Sequence, residues 1–256
     1  MITLPRWVKK IKPLKSLVYS LTGAATYGGI NVINKLRING MEILRGLPNQ
    51  NVLFVSNHQT YFKDVITLLH VFGAARLGRK HSLGFPLHLL HPFTNLYYIA
   101  AEETMNNNIV SKALKLSGAI TVNRTWRSNG KDVARERNET DTKKIDEALH
   151  ESWVLTFPQG TTKPFAEGRK GTAHIIKNNM PIVVPIVLEG FDQAFDKKGF
   201  RFKNRGTTLS VTIKNPLTID YNNTVDAILL QVMEAIEQSK SFMLKKQQQL
   251  NNILDK

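Results

Sequence analysis

His58 and Asp64 are the two residues whose types and spacing most directly suggest chemistry. They lie in NVLFVSNHQTYFKD, residues 51–64, where an apolar run, Val52-Leu53-Phe54-Val55, ends at Ser56-Asn57-His58. Asp64 is the only acidic residue between Glu42 and Glu102, so any local carboxylate partner of His58 must be Asp64. A histidine at the end of a buried strand can act as a general base, with a nearby carboxylate fixing its tautomer. Taken alone, the stretch has a plainer account: a loop histidine followed by an aspartate at a helix N-terminus, where its charge suits the helix dipole.

Three further blocks place reactive or anion-binding groups at strand ends. In GAITVNRTWR, residues 118–127, a strand over Ala119–Val122 ends and presents Asn123, Arg124 and Arg127. An arginine fork there suits a phosphate, because it bonds oxygens in pairs. In VLTFPQGTT, residues 154–162, a strand turns through Pro158 and Gly160 and exposes backbone N–H groups with Gln159, Thr161 and Thr162. Such a turn can hold a phosphate or position an acceptor. Arg169 and Lys170 then open a predicted helix, Arg169–Asn179; cations there oppose the dipole, which a bound anion would explain. The last block, VVPIVLEGF, is a buried strand carrying Pro185. For each block alone, a surface arginine or an ordinary Pro-Gly turn is the plainer account.

Together and in this order, the four blocks resemble the glycerolipid acyltransferase family, which includes 1-acylglycerol-3-phosphate and glycerol-3-phosphate O-acyltransferases. The family pattern is Asn-His, four residues, Asp; a strand ending Gly-x-Ile-x-x-x-Arg; Phe-Pro-Glu-Gly-Thr; and an apolar strand around a Val-Pro-Val-type core. This chain reads NHQTYFKD, GAITVNR, FPQGTT and VVPIVL, with the resemblance spanning roughly residues 40–215. It implies His58 and Asp64 as catalytic residues, and Arg124, Gln159, Gly160, Thr161, Arg169 and Lys170 around the acceptor and its phosphate. It also implies an N-terminal helical membrane motif. The chain departs from the pattern twice. Five residues, not four, separate His58 from Asp64, so the pair can meet only if His58 precedes the helix or the extra residue bulges out. Gln159 stands where the family has glutamate, keeping the shape and losing the charge. Both departures sit where the acceptor binds or reacts.

The elements that must position these blocks alternate strand and helix. The expected fold is α/β, a mixed central sheet flanked by helices, with an N-terminal membrane-associating helical segment. Residues 1–38 are expected to form that segment and 39–256 the acyltransferase domain. Helices are predicted over 63–75 and 107–116, strands over 96–100 and 153–157, and a helix capped by Asp141 or Thr142 runs to about 152. Residues 125–142 read as a surface insertion or a solvated helix, and residues 200–213 as a hairpin around Asn204-Arg205-Gly206. A proline in the 181–188 strand suggests a sheet edge or strand end. Thr224 caps a final amphipathic helix, and the polar tail 245–256 reads as a fraying end. His88 and His91, three apart, lack a cysteine or carboxylate to complete a metal site and read as core or surface histidines.

The 256 residues carry a formal net charge of +15 and no cysteine, which excludes disulfides and a cysteine nucleophile. Such a charge favours polyanions: phosphorylated substrates, an anionic membrane or nucleic acid. Residues 1–41 hold seven basic residues and no acid, and residues 16–34 carry no charge at all. Leu4, Trp7, Val8, Ile11, Leu14 and Val18 recur at helical spacing, and Pro13 is expected to kink this segment or start a second helix. The segment reads as lying in the membrane interface, against a helical hairpin packed on the core or a true transmembrane helix.

The expected function is acyl transfer from acyl-CoA or acyl-carrier protein to a hydroxyl of a lyso-glycerophospholipid, 1-acylglycerol-3-phosphate giving phosphatidate. It is expected at the cytoplasmic face of the cell membrane, with no metal and no cofactor beyond the acyl co-substrate. One rival keeps the chemistry and changes the acceptor to another lipid such as a lyso-aminolipid. The other is a basic membrane- or nucleic-acid-binding protein without catalysis; the basic residues and aromatics form no single-strand-binding pattern and no recognised motif appears, so nucleic acid is not an expected partner.

Overall fold

Val52 to Val55 offer no polar side chain to water, and all four are fully buried. The computed structural model describes the backbone of residues 6–105, 111, 114–123, 127–128, 131–132 and 139–254. The strands in chain order are β1 (Lys35–Asn39), β2 (Val52–Ser56), β3 (Leu96–Ala101) and β4 (Ala119–Val122), then β5 (Arg127–Ser128) and β6 (Lys131–Asp132), then β7 (Trp153–Thr156), β8 (Ile182–Glu189) and β9 (Thr208–Ile213). Seven of them form one sheet in the order β1-β9-β8-β2-β7-β3-β4, while β5 and β6 pair only with each other. β2 is flanked in parallel by β7 and β8, and β3 is parallel to both β7 and β4. β9 is antiparallel to β8 and parallel to β1, which makes the sheet mixed as expected. A central strand covered on both faces has no reason to alternate polar with apolar residues, hence the unbroken run in β2.

Helices cover both faces. On one, α1 (Arg6–Gly28) and α2 (Lys63–Arg76) lie over a core that includes Phe54, Phe72 and Trp153. The short α3 (Glu102–Met105) follows β3. On the other face, α4 (Glu139–Glu151) and α5 (Lys170–Asn179) pack over Leu53, Val55 and Val154. The short α6 (Phe191–Ala194) follows β8. Then α7 (Val225–Ala235) joins the second layer, and α8 (Lys240–Leu254) follows. Successive β2 side chains thus feed opposite layers. Because β2, β7, β8, β3 and β4 are mutually aligned, their C-terminal ends share one edge of the sheet.

Several expectations change. Pro13 does not divide the N-terminal segment; it lies inside the single helix α1, which ends in a π turn over Gly29–Ile33. Among the described residues, no helix is long and apolar enough to cross a membrane. Lys15 is buried, donates to the Leu96 carbonyl at 2.6 Å, and lies 3.7 Å from the Tyr97 ring centre. The boundary expected at 38/39 falls within β1.

β8 is interior rather than an edge, between β9 and β2. It tolerates Pro185 because the β8–β9 ladder begins only at Ile186↔Ile213. The Pro185 carbonyl instead accepts from Lys214 N at 2.9 Å, so the missing N–H faces a flank with no ladder. Residues 200–213 are no hairpin: Phe202 bridges to Phe195, and β9 pairs with β1 and β8. α4 begins at Glu139, before both expected caps; Asp141 instead accepts from Asn123 N at 3.0 Å, closing the end of β4. The tail forms α8 rather than a frayed end. Thr224 caps α7 as read, accepting from Ala227 N. Most of the 107–116 helix and the 125–142 insertion lies outside the described residues.

Candidate active site

The extra residue between His58 and Asp64 is absorbed before the helix. After Ser56 the chain runs non-helically from Asn57 to Phe62, and α2 starts at Lys63, so Asp64 is its second residue. The carboxylate turns back over this loop. Its Oδ2 lies 2.9 Å from His58 Nδ1 and accepts from Gln59 N at 2.6 Å and Thr60 N at 3.0 Å. Its Oδ1 accepts from the Thr60 hydroxyl at 2.6 Å and Thr60 N at 3.1 Å. Asp64 is wholly buried, and these donors are what permit a carboxylate there. An ionised carboxylate only accepts, so His58 Nδ1 carries the proton and donates it, leaving the lone pair on Nε2.

Two amide side chains hold the loop against β8. Asn57 extends the β2–β8 ladder by one side chain: Leu188 N donates to its Oδ1 at 2.7 Å, and its Nδ2 donates to the Leu188 carbonyl at 2.8 Å. Gln59 Oε1 accepts from Phe191 N at 2.9 Å. The two residues flanking His58 are thereby anchored to the end of β8 and to α6. From the neighbouring strand, Phe157 stacks on the imidazole, ring centres 4.0 Å apart and planes at 21°. That contact brings the first and third blocks together.

After Phe157 the chain reverses, with Gly160 N donating to the Phe157 carbonyl at 2.9 Å and Gly160 at φ +62°. Only glycine takes that conformation without strain. Thr161 follows, half-buried, its hydroxyl accepting from Lys163 N at 3.3 Å. Gln159 is buried and faces inward: its Nε2 donates to the Ala166 carbonyl at 3.0 Å and to Gln238 Oε1 at 3.3 Å. Gln238 Oε1 also accepts from Phe165 N at 2.9 Å. The turn is thus fastened across the loop and to the end of α7. Arg169 N donates to the Pro158 carbonyl at 2.8 Å, which places the start of α5 beside the turn. Lys170 is directed elsewhere, its Nζ 2.8 Å from an Asp226 carboxylate oxygen on the exposed side of α7.

Arg124 lies outside the described residues. The strand before it, β4, is three positions from β2 in the sheet, roughly 14 Å at about 4.8 Å per strand. Sequence reading did not single out Asn57, Thr60, Phe157 or Gln238 for a role. The first three lie inside the motifs, where only residue type was legible; nothing in the sequence links Gln238 to Gln159. Outside the site, His88 is buried and His91 exposed, one in the core and one on the surface.

The paired imidazole and carboxylate, with a free Nε2 beside a turn rich in N–H groups, can take a proton from a hydroxyl and position the attacking oxygen. The family comparison points the same way. The Acyltransferase family model matches residues 35–189, more than half of the chain. No curated protein sequence matches. Among solved structures, the crystal structure of the 1-acyl-sn-glycerophosphate acyltransferase PlsC from Thermotoga maritima is similar at 16% identity and a TM-score of 0.44, covering 90% of this chain and 78% of that one.

Proposed function

Because the chain belongs to the Acyltransferase family, we propose that it transfers a fatty acyl chain from acyl-CoA or acyl-carrier protein to a hydroxyl of a lyso-glycerophospholipid. The acceptor we propose is 1-acylglycerol-3-phosphate, giving phosphatidate. The observation that carries the mechanism is the 2.9 Å contact from His58 Nδ1 to Asp64 Oδ2. His58 Nε2 takes the acceptor hydroxyl proton as that oxygen attacks the thioester carbonyl carbon. The tetrahedral intermediate then collapses, the carbon–sulfur bond breaks, and the departing thiolate takes the proton back from the imidazolium. Asp64 stabilises the imidazolium between the two steps. General-base help of this kind is worth about 10²–10⁴-fold, and orientation supplies much of the rest.

Arg124 would bind the acceptor phosphate with Arg169 assisting, while Gly160 and Thr161 shape the acceptor side. Lys170 contributes only when its exposed pair with Asp226 opens, and such pairs are weak. The acyl-transfer reaction would take place at the cytoplasmic membrane face, with the exposed outer side of α1 against the lipid.

One observation favours a second acceptor class. Gln159 is neutral and turned into the protein, which suits another lipid hydroxyl such as that of a lyso-aminolipid. Purified full-length protein, labelled acyl-CoA or acyl-carrier protein, and a panel of lyso-lipids decide between them. Turnover is expected to be highest with 1-acylglycerol-3-phosphate and to vanish in His58→Ala with unchanged melting temperature. Wild-type turnover in folded His58→Ala would sink the mechanism.

A further inference from the structure

Residues 196–205, DKKGFRFKNR, hold five cations and one acid outside the catalytic blocks. Lys197, Lys198, Arg201, Lys203 and Arg205 are all exposed. The acid, Asp196, is turned into the loop: its Oδ1 accepts from the backbone N–H groups of Gly199, Phe200 and Arg201 at 2.9, 2.8 and 3.1 Å. Burial raises its carboxyl, but these three bonds and the nearby Arg201 charge together outweigh that and hold it below the usual range. Between the cations stand Phe200 and Phe202, 39% and 36% exposed. Each is fixed from beneath, Phe200 stacked on Phe62 with ring centres 5.2 Å apart and Phe202 tilted against Phe195 at 5.3 Å. The loop therefore presents a rigid mixture of aromatic and basic side chains.

Its neighbours connect it in two directions. Tyr61 N donates to the Lys197 carbonyl at 2.9 Å and Phe62 N to the Lys198 carbonyl at 3.3 Å. Tyr61 is three residues from His58, so this junction lies within about 11 Å of the catalytic histidine. On the other side Phe202 lies against Gly29, and Gly206 N donates to the Ile33 carbonyl at 3.0 Å. Val32 beside it is 72% exposed. From there Leu21, Leu17 and Leu14 continue along the outer side of α1, exposed at helical spacing, in a segment with no charge from 16 to 34.

We propose that residues 196–205 form a docking surface for an anionic lipid membrane, continuous with the outer side of α1, which holds the His58 loop at the lipid surface. Cations interleaved with aromatics suit anionic headgroups above acyl chains, and an adjoining uncharged aliphatic stripe suits the acyl layer itself. An acidic protein partner would match the cations and leave that stripe without a counterpart. The proposal rests on the acyl-transfer reading only for why the site belongs at a lipid surface; the binding can be measured without turnover.

The test is sedimentation of the full chain with vesicles of phosphatidylcholine alone or mixed with phosphatidylglycerol. A basic residue near such a surface is worth about fivefold in partitioning. Lys197→Ala/Lys198→Ala should weaken binding to the mixed vesicles about tenfold or more and leave binding to neutral vesicles unchanged. Lys143→Ala/Lys144→Ala, the same charge change on α4 across the sheet, should bind as wild type. Equal loss in both variants, no loss in the first, or wild-type binding indifferent to phosphatidylglycerol overturns the proposal. So does selective loss of binding to an acidic carrier protein with vesicle binding intact. If the wild type shows no acyl transfer yet the first variant loses vesicle binding, the docking surface stands and the proposed reaction falls.

Discussion

The carboxylate of Asp64 meets His58 Nδ1 at 2.9 Å across six sequence positions. A regular helix would put residues six apart about 120° away from each other, so the contact exists because His58 lies in the loop before α2. The same carboxylate accepts from Gln59 N, Thr60 N and the Thr60 hydroxyl. Orientation of the histidine and closure of the loop are therefore one structural event, and the first prediction separates them.

Asp64→Asn should lower kcat on the order of a hundredfold or more, because an amide offers one acceptor oxygen where the carboxylate offers two and favours the wrong tautomer; the comparable change in a serine-protease triad costs about 10⁴-fold. An amide nitrogen facing buried N–H groups should also destabilise the fold by about 1–3 kcal/mol. Thr60→Val removes only the hydroxyl bond and should cost less in both respects. Thermal unfolding and steady-state kinetics on both variants check this; equal catalytic losses would mean that Asp64 acts only through the loop.

Asn57→Ala should be among the more damaging substitutions near the site. It strands the N–H and carbonyl of the fully buried Leu188, at about 1–3 kcal/mol each. Melting temperature should fall by several degrees, and kcat by about tenfold as the histidine loop loosens. Asn57→Asp keeps the bond from Leu188 N but turns a carboxylate oxygen towards the Leu188 carbonyl, so it should not recover the loss; a melting curve identical to wild type for Asn57→Ala would show that the pairing carries no weight.

Gln159→Glu, which restores the family's residue type, should destabilise this chain. A carboxylate would face the Ala166 carbonyl and Gln238 Oε1, both acceptors, and flipping Gln238 would break its bond from Phe165 N. The expected cost is about 1–3 kcal/mol at neutral pH. Its sign with pH follows: the folded state favours the protonated acid and raises its titration above the ordinary glutamate range, so the deficit is full above that raised value and shrinks as pH falls from it to the ordinary range. A deficit that grows on acidification would contradict the inward geometry.

The protein should lose stability below about pH 6.5 through His70 and His88. Thr26 donates to the Thr22 carbonyl, so its hydroxyl oxygen accepts from His70 Nε2, and His70 Nδ1 then accepts from His88 Nε2 at 2.8 Å. Burial, then the neighbouring His88 and Lys63, push His70 down to about 3; burial pushes His88 down to about 4. The unfolded chain binds these protons first as pH falls, at up to about 2.7 kcal/mol per histidine two units below 6.5. Replacing His70 and His88 together by leucine should flatten the stability profile between pH 6.5 and 4.5, as measured by urea unfolding.

The four blocks, their residue types and their places at strand ends were legible in the sequence, because buried parallel strands read as apolar runs and turn residues mark where they stop. The strands β2 and β4, the helix α2 and the cap at Thr224 follow from that local pattern alone. The six-residue register of His58 and Asp64 was legible as a problem; only the folded loop decided that the pair meets. Three-dimensional pairing also decided what local pattern cannot reach. Pro185 sits in an interior strand because the β9 ladder starts one residue later, and β9 leaves its expected hairpin to lie between β1 and β8. Gln159 finds Gln238 from 79 positions away, and Asn57 finds Leu188 from 131. Such contacts depend on strand order, which is set by how two apolar layers close over one sheet, and no spacing along the chain encodes that directly.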